Sequence, residues 1–351
     1  LVASSSNNEG VAGGLYSLLP AQPAKHVMNV DEWGVVRGWR WRDGGGVYLG
    51  LVTSRGQSFS VYSEESGDLV WSVQADVRSS TSNGQEFAVV PVIREGVVKW
   101  CFLVHSTRDE SLRCWVVGEV STEPTWQIPL ESDKNSFTGA ICTIAGGERG
   151  ARVVVAWNGY AVLIDPVNGR ELKRVHLGLP RRSRCGGLVS SRVMGEASRV
   201  WVFSWARSGP DKPYAPGVFV LNTDLEISCS VDCGKVGDVG LEFPKWSVGL
   251  DDGRVVFANG GGTYYVVGLD GGIEEVTDKA ISAKIGYGLS VSARCAEFDN
   301  VPSIILCSRV DGVAATHVGS CFVVDATSGR CVQDTPGEEL GAARSGAMRK
   351  R

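Results

Sequence analysis

The chain has 351 residues, of which 43% are hydrophobic, and carries 35 Lys and Arg against 39 Asp and Glu for a net charge of −4. That is apolar material enough for two ordinary domains or one large all-β domain. The acidic balance argues against a nucleic-acid partner, whose phosphates call for clustered Lys and Arg, and no apolar run approaches the 18 residues of a membrane-spanning helix.

Taken in order, residues 1–25 are polar and then rich in small residues, with Pro20 and Pro23; they read as an extended arm, Leu1–Ser4 resembling the small-residue trace of a signal-peptide cleavage region. Residues 26–336 read as one β domain. In Trp33–Trp41, Trp39 and Trp41 alternate with Arg40 and Arg42, the pattern of a strand with one buried face. The segment is a candidate to complete a last sheet by pairing with the chain end. From Val47 a regular series begins. Strands are expected at 47–52, 58–62 and 69–73, then 87–93, 97–105, 112–120 and 126–130. A third set is 140–144, 153–157, 161–164 and 172–177, and a fourth is 187–193, 199–205, 217–221 and 227–231. The last two sets are 245–250, 254–259, 264–269 and 273–276, then 289–295, 303–309, 321–324 and 331–333. Residues 337–351 read as a flexible tail or the start of a linker.

One short unit recurs through this series. Val61–Trp71, Leu163–Leu172 and Val323–Val332 each give an apolar strand, an opening Ser or Asp, a few turn formers, a Gly, a charged residue and a second strand. A hydroxyl or carboxylate opens such a hairpin by bonding the backbone two residues on, and Gly supplies the positive φ. With Asn222 and Asp270 as further anchors, and a missing turn placed near Ser121–Pro124, the unit repeats at roughly 50 residues. The 45 glycines, close to twice the usual share of roughly 7%, suit so many turns. Four short strands per unit make a propeller blade. The fold class is therefore all-β: a β-propeller, quinoprotein-like or WD-like, of about seven four-stranded blades, with six to eight possible.

The search for chemistry returns little. His26, His105, His176 and His317 fall in no metal-binding or catalytic spacing. No G-x-S-x-G elbow, phosphate loop or G-x-G-x-x-G fingerprint occurs. Glu64-Glu65, Glu274-Glu275 and Glu338-Glu339 fall at turns or strand ends, and Asp251-Asp252-Gly253 has too few alternating oxygen ligands for calcium. No catalytic, cofactor-binding or metal-binding residue is assigned, no cofactor is expected, and the chain is not read as an enzyme. Arg181–Arg184 reads as a solvated loop. Of the ten cysteines, Cys101, Cys142, Cys307 and Cys321 sit in apolar strands and read as buried thiols. Cys229 and Cys233, four apart, are the candidate disulfide. Two loops are the least explained by blade geometry and are the candidate contact surfaces: Arg207 to Pro216, with Arg207, Asp211, Lys212 and Tyr214, and Arg78 to Gln85.

The hairpin Asp-x-x-[Ser/Asn]-Gly-[Arg/Asp] of these three copies resembles the blades of quinoprotein-like propellers. The chain lacks that group's adjacent-cysteine pair and any C-x-x-C-H haem site, so the resemblance implies the blade and not the redox chemistry. Within that group the chain is similar to the amino-terminal luminal propeller of subunit 1 of the endoplasmic reticulum membrane protein complex. Gly67-Asp68-Leu69-Val70-Trp71, Trp126–Ser132 followed by Phe137, and Val324–Arg330 followed by Asp334-Thr335 carry that likeness in order. The resemblance implies a non-catalytic luminal scaffold that supports insertion and folding of transmembrane proteins. Its partners would be protein subunits of a membrane complex, and its membrane attachment would lie carboxy-terminal to these residues. The alternatives are a cytosolic protein-interaction propeller, towards which the absence of any N-x-[ST] acceptor leans, and a quinoprotein-type enzyme with acidic groups converging in an axial funnel.

Overall fold

A computed structural model of the chain describes residues 2–4, 13–17, 25–30, 35–53, 58–75, 87–106, 110–130, 140–144, 150–157, 159–179, 184–191, 198–207, 214–232, 246–249, 253–258, 264–275, 291–298, 301–308, 321–325 and 331–335. Among them there are strands and turns and no helix, hence none long and apolar enough to cross a membrane.

The described strands form seven antiparallel sheets. The first is three-stranded: β1 (Val2–Ser4), β2 (Gly13–Ser17) and β3 (Lys25–Val30). The other six are four-stranded meanders in chain order. They are β4 (Val35–Asp43), β5 (Gly46–Thr53), β6 (Ser58–Ser63) and β7 (Leu69–Gln74); β8 (Phe87–Arg94), β9 (Val97–Ser106), β10 (Ser111–Val116) and β11 (Trp126–Pro129); and β12 (Ala140–Ile144), β13 (Arg152–Trp157), β14 (Tyr160–Ile164) and β15 (Glu171–His176). Then come β16 (Arg184–Ser191), β17 (Arg199–Arg207), β18 (Tyr214–Leu221) and β19 (Ile227–Asp232); β20 (Trp246–Gly249), β21 (Val255–Ala258), β22 (Tyr264–Val267) and β23 (Ile273–Glu275); and β24 (Val291–Phe298), β25 (Val301–Ser308), β26 (Cys321–Asp325) and β27 (Cys331–Thr335). These are propeller blades: among the described residues six four-stranded sheets, the number of repeat units visible in the sequence, and one three-stranded sheet.

Several expectations are corrected. Within residues 1–25, expected as an extended arm, the described residues are the paired strands β1 and β2 and the start of β3. The Trp39–Trp41 segment does not close a last sheet. It is the first strand of the first four-stranded sheet, turned into β5 at Gly44 and Gly45, both at positive φ. The alternation itself holds: Trp41 is buried, Trp39 packs edge-on to Phe59 at 5.9 Å, and Arg40 pairs with Glu64 at 2.7 Å on the other side. β10 ends at Val116, short of Val120, and Arg184 opens β16 where a loop was expected. Residues 337–351 lie outside the described residues.

The recurrent turn has one construction. In the first copy the Ser63 amide donates to the Asp68 carbonyl and the Gly67 amide to the Ser63 carbonyl, both at 2.9 Å; in the second, Asp165, Arg170 and Gly169 repeat both bonds at 2.9 Å. The Ser63 hydroxyl and Asp165 carboxylate accept from Ser66 and Val167, and Gly67 and Gly169 stand at φ 76° and 74°. The ladder slips by one residue just before the turn, at Val61/Tyr62, Leu163/Ile164, Val220/Leu221 and Val323/Val324. The third copy thus shares the bulge, although its turn residues 326–330 lie outside the described residues.

The chain forms two compact units. One holds β1–β7 and β24–β27; the other holds β8–β21 with most of β22 and β23. In the second unit the strand period of two divides the interior. Val153, Val155 and Trp157 of β13, with Val162 and Ile164 of β14, face a core shared with the β8–β11 sheet. Val154 and Ala156, with Ala161 and Leu163, face another shared with β17 and β18. In β17, Val200 and Val202 join that second core, while Trp201 and Phe203 enter a third with Val255, Tyr265 and Val267. Burial on both faces explains why these strands read as unbroken apolar runs.

The β18–β19 turn departs from the glycine rule. Leu225 stands at φ 59° and is fully buried in the second core. A left-handed leucine costs roughly 1–2 kcal/mol, whereas emptying a buried leucine site costs about 2–5 kcal/mol. Burial wins. Leu225→Gly is expected to destabilise by about 2 kcal/mol despite relieving the backbone, as chemical denaturation would measure; a stabilised variant would show that strain dominates.

Candidate functional site

The candidate contact hairpin differs from its counterparts in length. Eight residue pairs join β17 to β18, out to Ala206↔Ala215 and Arg207↔Tyr214, whereas β13–β14 and β5–β6 have five each. The Arg207–Pro216 loop is therefore shorter than expected: Arg207, Tyr214, Ala215 and Pro216 belong to the ladder, while Asp211 and Lys212 lie outside the described residues. Among the described residues the flanking ladders reach Arg184↔Trp205 in β16 and Gly217↔Asp232 in β19. At the base of the hairpin the buried Ser204 hydroxyl donates to the Gly217 carbonyl at 3.4 Å. The ribbon thus places Arg207 and Tyr214 opposite each other at the end of a fixed two-stranded support. Arg and Tyr are residue types enriched at the energetic centres of interfaces. The second candidate loop, Arg78 to Gln85, lies outside the described residues.

Cys229 is a free thiol that donates to the Asp270 carbonyl at 3.6 Å; Cys233 lies outside the described residues. The same neighbourhood admits no side chain at Gly271, whose Cβ would come within 2.6 Å of the Cys229 Sγ. This junction is the counterpart of one that sequence reasoning missed. Trp126 of β11 donates its indole N–H to the Pro166 carbonyl at 3.0 Å, in the β14–β15 turn of the next sheet, and lies over Gly169. In both cases the fourth strand of one sheet grips the last turn of the following sheet. The only sequence sign was the place of Trp126 at the head of a fourth strand.

No group of three or more His, Cys, Asp or Glu able to hold a metal occurs among the described residues. His105 is buried in β9. His176 accepts the Gly178 amide at Nδ1 (3.0 Å) and meets Tyr160 edge-on at 4.9 Å. Beside it the Arg174 guanidinium lies 5.5 Å from the Trp157 ring centre and 5.8 Å from that of Tyr160, tied to Glu171 at 2.7 Å. Spread over two rings and held by a carboxylate, that guanidinium covers the edge of the first core. Glu64, the one member of the three carboxylate pairs with a described ion pair, is engaged by Arg40.

Cys101 and Cys114 are buried, neighbouring thiols in the first core. Burial, followed by the hydrogen bond and charge of Cys101, holds the Cys114 pKa well above its ordinary 9.0. The unfolded chain releases this proton near 9.0 while the native chain keeps it, so stability is complete below that pH and falls as pH rises above it. Denaturant midpoints between pH 7 and 10 are expected to fall less steeply above pH 9 for Cys114→Ala than for the native chain. Equal slopes would show that Cys114 carries none of the loss.

No family model matches the chain, and no curated protein matches it. Solved structures of similar fold are known. The Dos1 propeller is 9% identical, with 84% of this chain and 68% of that chain covered and a TM-score of 0.47. Hydrazine synthase of Kuenenia stuttgartiensis is 11% identical, covering 85% and 76%, with a TM-score of 0.48. Dihydro-heme d1 dehydrogenase NirN is 10% identical, covering 90% and 70%, with a TM-score of 0.47. The chain is a β-propeller protein. Likenesses at this level add nothing to what its sheets already show.

Proposed function

We propose that this propeller is a non-catalytic scaffold that works by binding other proteins. The observation that carries this reading is the length of the β17–β18 ladder, eight residue pairs against five in its counterparts β13–β14 and β5–β6. Blades make a stiff frame, and recognition is carried by the segments that frame holds out. The finer form of the proposal is the luminal scaffold of the endoplasmic reticulum membrane protein complex, assisting insertion of transmembrane segments. The ordered motifs Gly67–Trp71, Trp126–Ser132 and Val324–Arg330 support it. The alternative, a cytosolic interaction propeller, draws on the lack of a glycosylation acceptor and on the free thiols of Cys101, Cys114, Cys142 and Cys229.

The test is affinity purification of the full-length protein from detergent-solubilised membranes, with and without the double substitution Arg207→Ala/Tyr214→Ala. The expected result is stoichiometric recovery of a set of multi-span membrane proteins, reduced about tenfold or more by the double substitution, since central Tyr and Arg contacts are worth about 2 kcal/mol or more each. Recovery from the soluble fraction with no membrane partner would sink the membrane-complex reading. Unchanged recovery by the variant would remove the ribbon from the interface.

A further inference from the structure

The register of β25 and β26 sets two cysteines directly opposite each other. Their antiparallel ladder runs from Ser303↔Asp325 through Ile305↔Val323 to Cys307↔Cys321. In the other described ladders each cysteine faces a residue of another type. Cys142 faces Val154, Cys185 faces Ser204, Cys229 faces Val220, Cys295 faces Ile304 and Cys331 faces Val324. Cys101 and Cys114 lie on neighbouring strands but on a diagonal, with Val116 and Leu103 as their β9–β10 partners. Diagonal neighbours stand roughly 7–8 Å apart at Cα, beyond the disulfide span of about 4.4–6.8 Å. Directly opposed residues of an antiparallel pair stand about 4.5 or 5.5 Å apart, according to their hydrogen bonding. Both values lie inside that span. Opposed residues also share a face of the sheet, and Val323, two positions on from Cys321, is fully buried on that face.

We propose that Cys307 and Cys321 are a disulfide-forming pair, a cross-strand bridge at the base of the β25–β26 connection. That connection spans residues 309–320, whereas residues 158 and 159 alone join β13 to β14. A longer connection leaves more chain entropy for a bridge to remove. The oxidant is another disulfide, such as oxidised glutathione. The thiolate of one cysteine attacks a glutathione sulfur, the glutathione S–S bond breaks, and one glutathione leaves as its thiolate. The thiolate of the other cysteine attacks the mixed disulfide and displaces the second glutathione. Two electrons pass from the cysteines to glutathione, the two cysteine protons end on the released thiols, and one S–S bond replaces another. The product is uncharged, so a buried face does not oppose it. Spacing gave no sign of this pair, because a register and not a sequence interval brings it together. Disulfides persist in oxidising compartments and are rare in the cytosol. The luminal reading therefore calls for a closed bridge in cells and the cytosolic reading for an open pair, while the site itself rests on the register alone.

Two measurements on the full-length protein separate the site from the compartment. In the first, the purified protein is equilibrated with reduced and oxidised glutathione in mild urea, its free thiols are blocked with N-ethylmaleimide, and its peptides are mapped by mass spectrometry without reduction. The expected result is a peptide joined to another through Cys307 and Cys321, with fragmentation placing the link on Cys307 rather than Cys295, and with Cys101 and Cys114 alkylated. Alkylation of both Cys307 and Cys321, glutathione adducts that fail to close, or a bridge from either to a third cysteine would overturn the proposal. Reduction of the bridge is expected to raise the unfolding equilibrium constant by roughly a hundredfold, the chain-entropy effect of a loop of about 15 residues. The double substitution Cys307→Ser/Cys321→Ser is expected to remove that response to reductant; an equal response in both proteins would overturn the proposal. In the second measurement cells are lysed directly into N-ethylmaleimide before mapping. A bridge found there supports the site and the luminal reading together. A bridge that forms with glutathione but is absent from cells supports the site and removes the luminal reading.

Discussion

Gly50→Ala is expected to lower the unfolding free energy by about 3 kcal/mol, the upper end of the usual cost of overpacking. Gly50 stands in β5, opposite Trp39 on one side and Val61 on the other. A Cβ there would lie 2.5 Å and 2.7 Å from Phe59 ring atoms and 2.8 Å from Trp41 Cζ3. Neither ring can yield easily. Phe59 is fully buried and meets Trp39 and Trp71 edge-on, and Trp41 is buried and stacked on Tyr48 at 6.1 Å. One methyl therefore displaces a whole aromatic cluster. Gly67→Ala gives the contrast. Its Cβ would meet nothing within 4 Å, but φ is 76°, so only the left-handed penalty of roughly 1–2 kcal/mol applies. Equilibrium denaturation read by tryptophan fluorescence measures both. Equal losses at the two positions would show that the rings repack freely and that the close approach at Gly50 has no energetic weight.

Gly169→Ala combines the two penalties and is expected to cost about 3 kcal/mol, from left-handed strain and from a crowded ring. Gly169 stands at φ 74° with its Cβ position 2.7 Å from Trp126 Cε3. The ring is anchored by the indole bond to Pro166, so it cannot swing aside without losing that bond. A double-mutant cycle separates the parts. In a Trp126→Ala background the ring is gone, and Gly169→Ala is expected to cost only the strain, about 1 kcal/mol. The same cost in both backgrounds would mean that the junction between the two sheets does not depend on this contact.

The four-stranded sheets were legible because their signal is local. Period-two apolar runs bounded by Asp, Asn, Ser and Gly mark hairpins without any knowledge of what packs on them, and the turn missing from the repeat lies between β10 and β11 as its spacing implied. β1–β3 left no such mark. β2 is Gly-Gly-Leu-Tyr-Ser, a composition that speaks for a turn, and only pairing makes it a strand. The placing of the Trp39–Trp41 strand missed a signal in plain view: Gly44-Gly45 between two apolar runs is a two-residue hairpin, so β4 had to pair forward with β5. Pro216 misled in the opposite way. Read as part of a loop it shortened β18, yet it stands in the ladder opposite Trp205. The Trp126–Pro166 junction was out of reach because it joins residues forty positions apart, and no local pattern encodes which turn a fourth strand will meet.

The division of β13 between two cores has a consequence for how damage spreads. Val154 and Val155 are adjacent in the chain, yet a cavity at one opens towards the β16–β19 sheet and a cavity at the other towards the β8–β11 sheet. Their effects have separate recipients. Val155 and Val90, far apart in the chain, line the same core and share its losses. For this protein the parity of a position, odd or even along its strand, tells more about which substitutions compensate one another than does their distance in sequence. The two faces of the sheet form a party wall, and what lies on one side can drift in evolution without notice to the other.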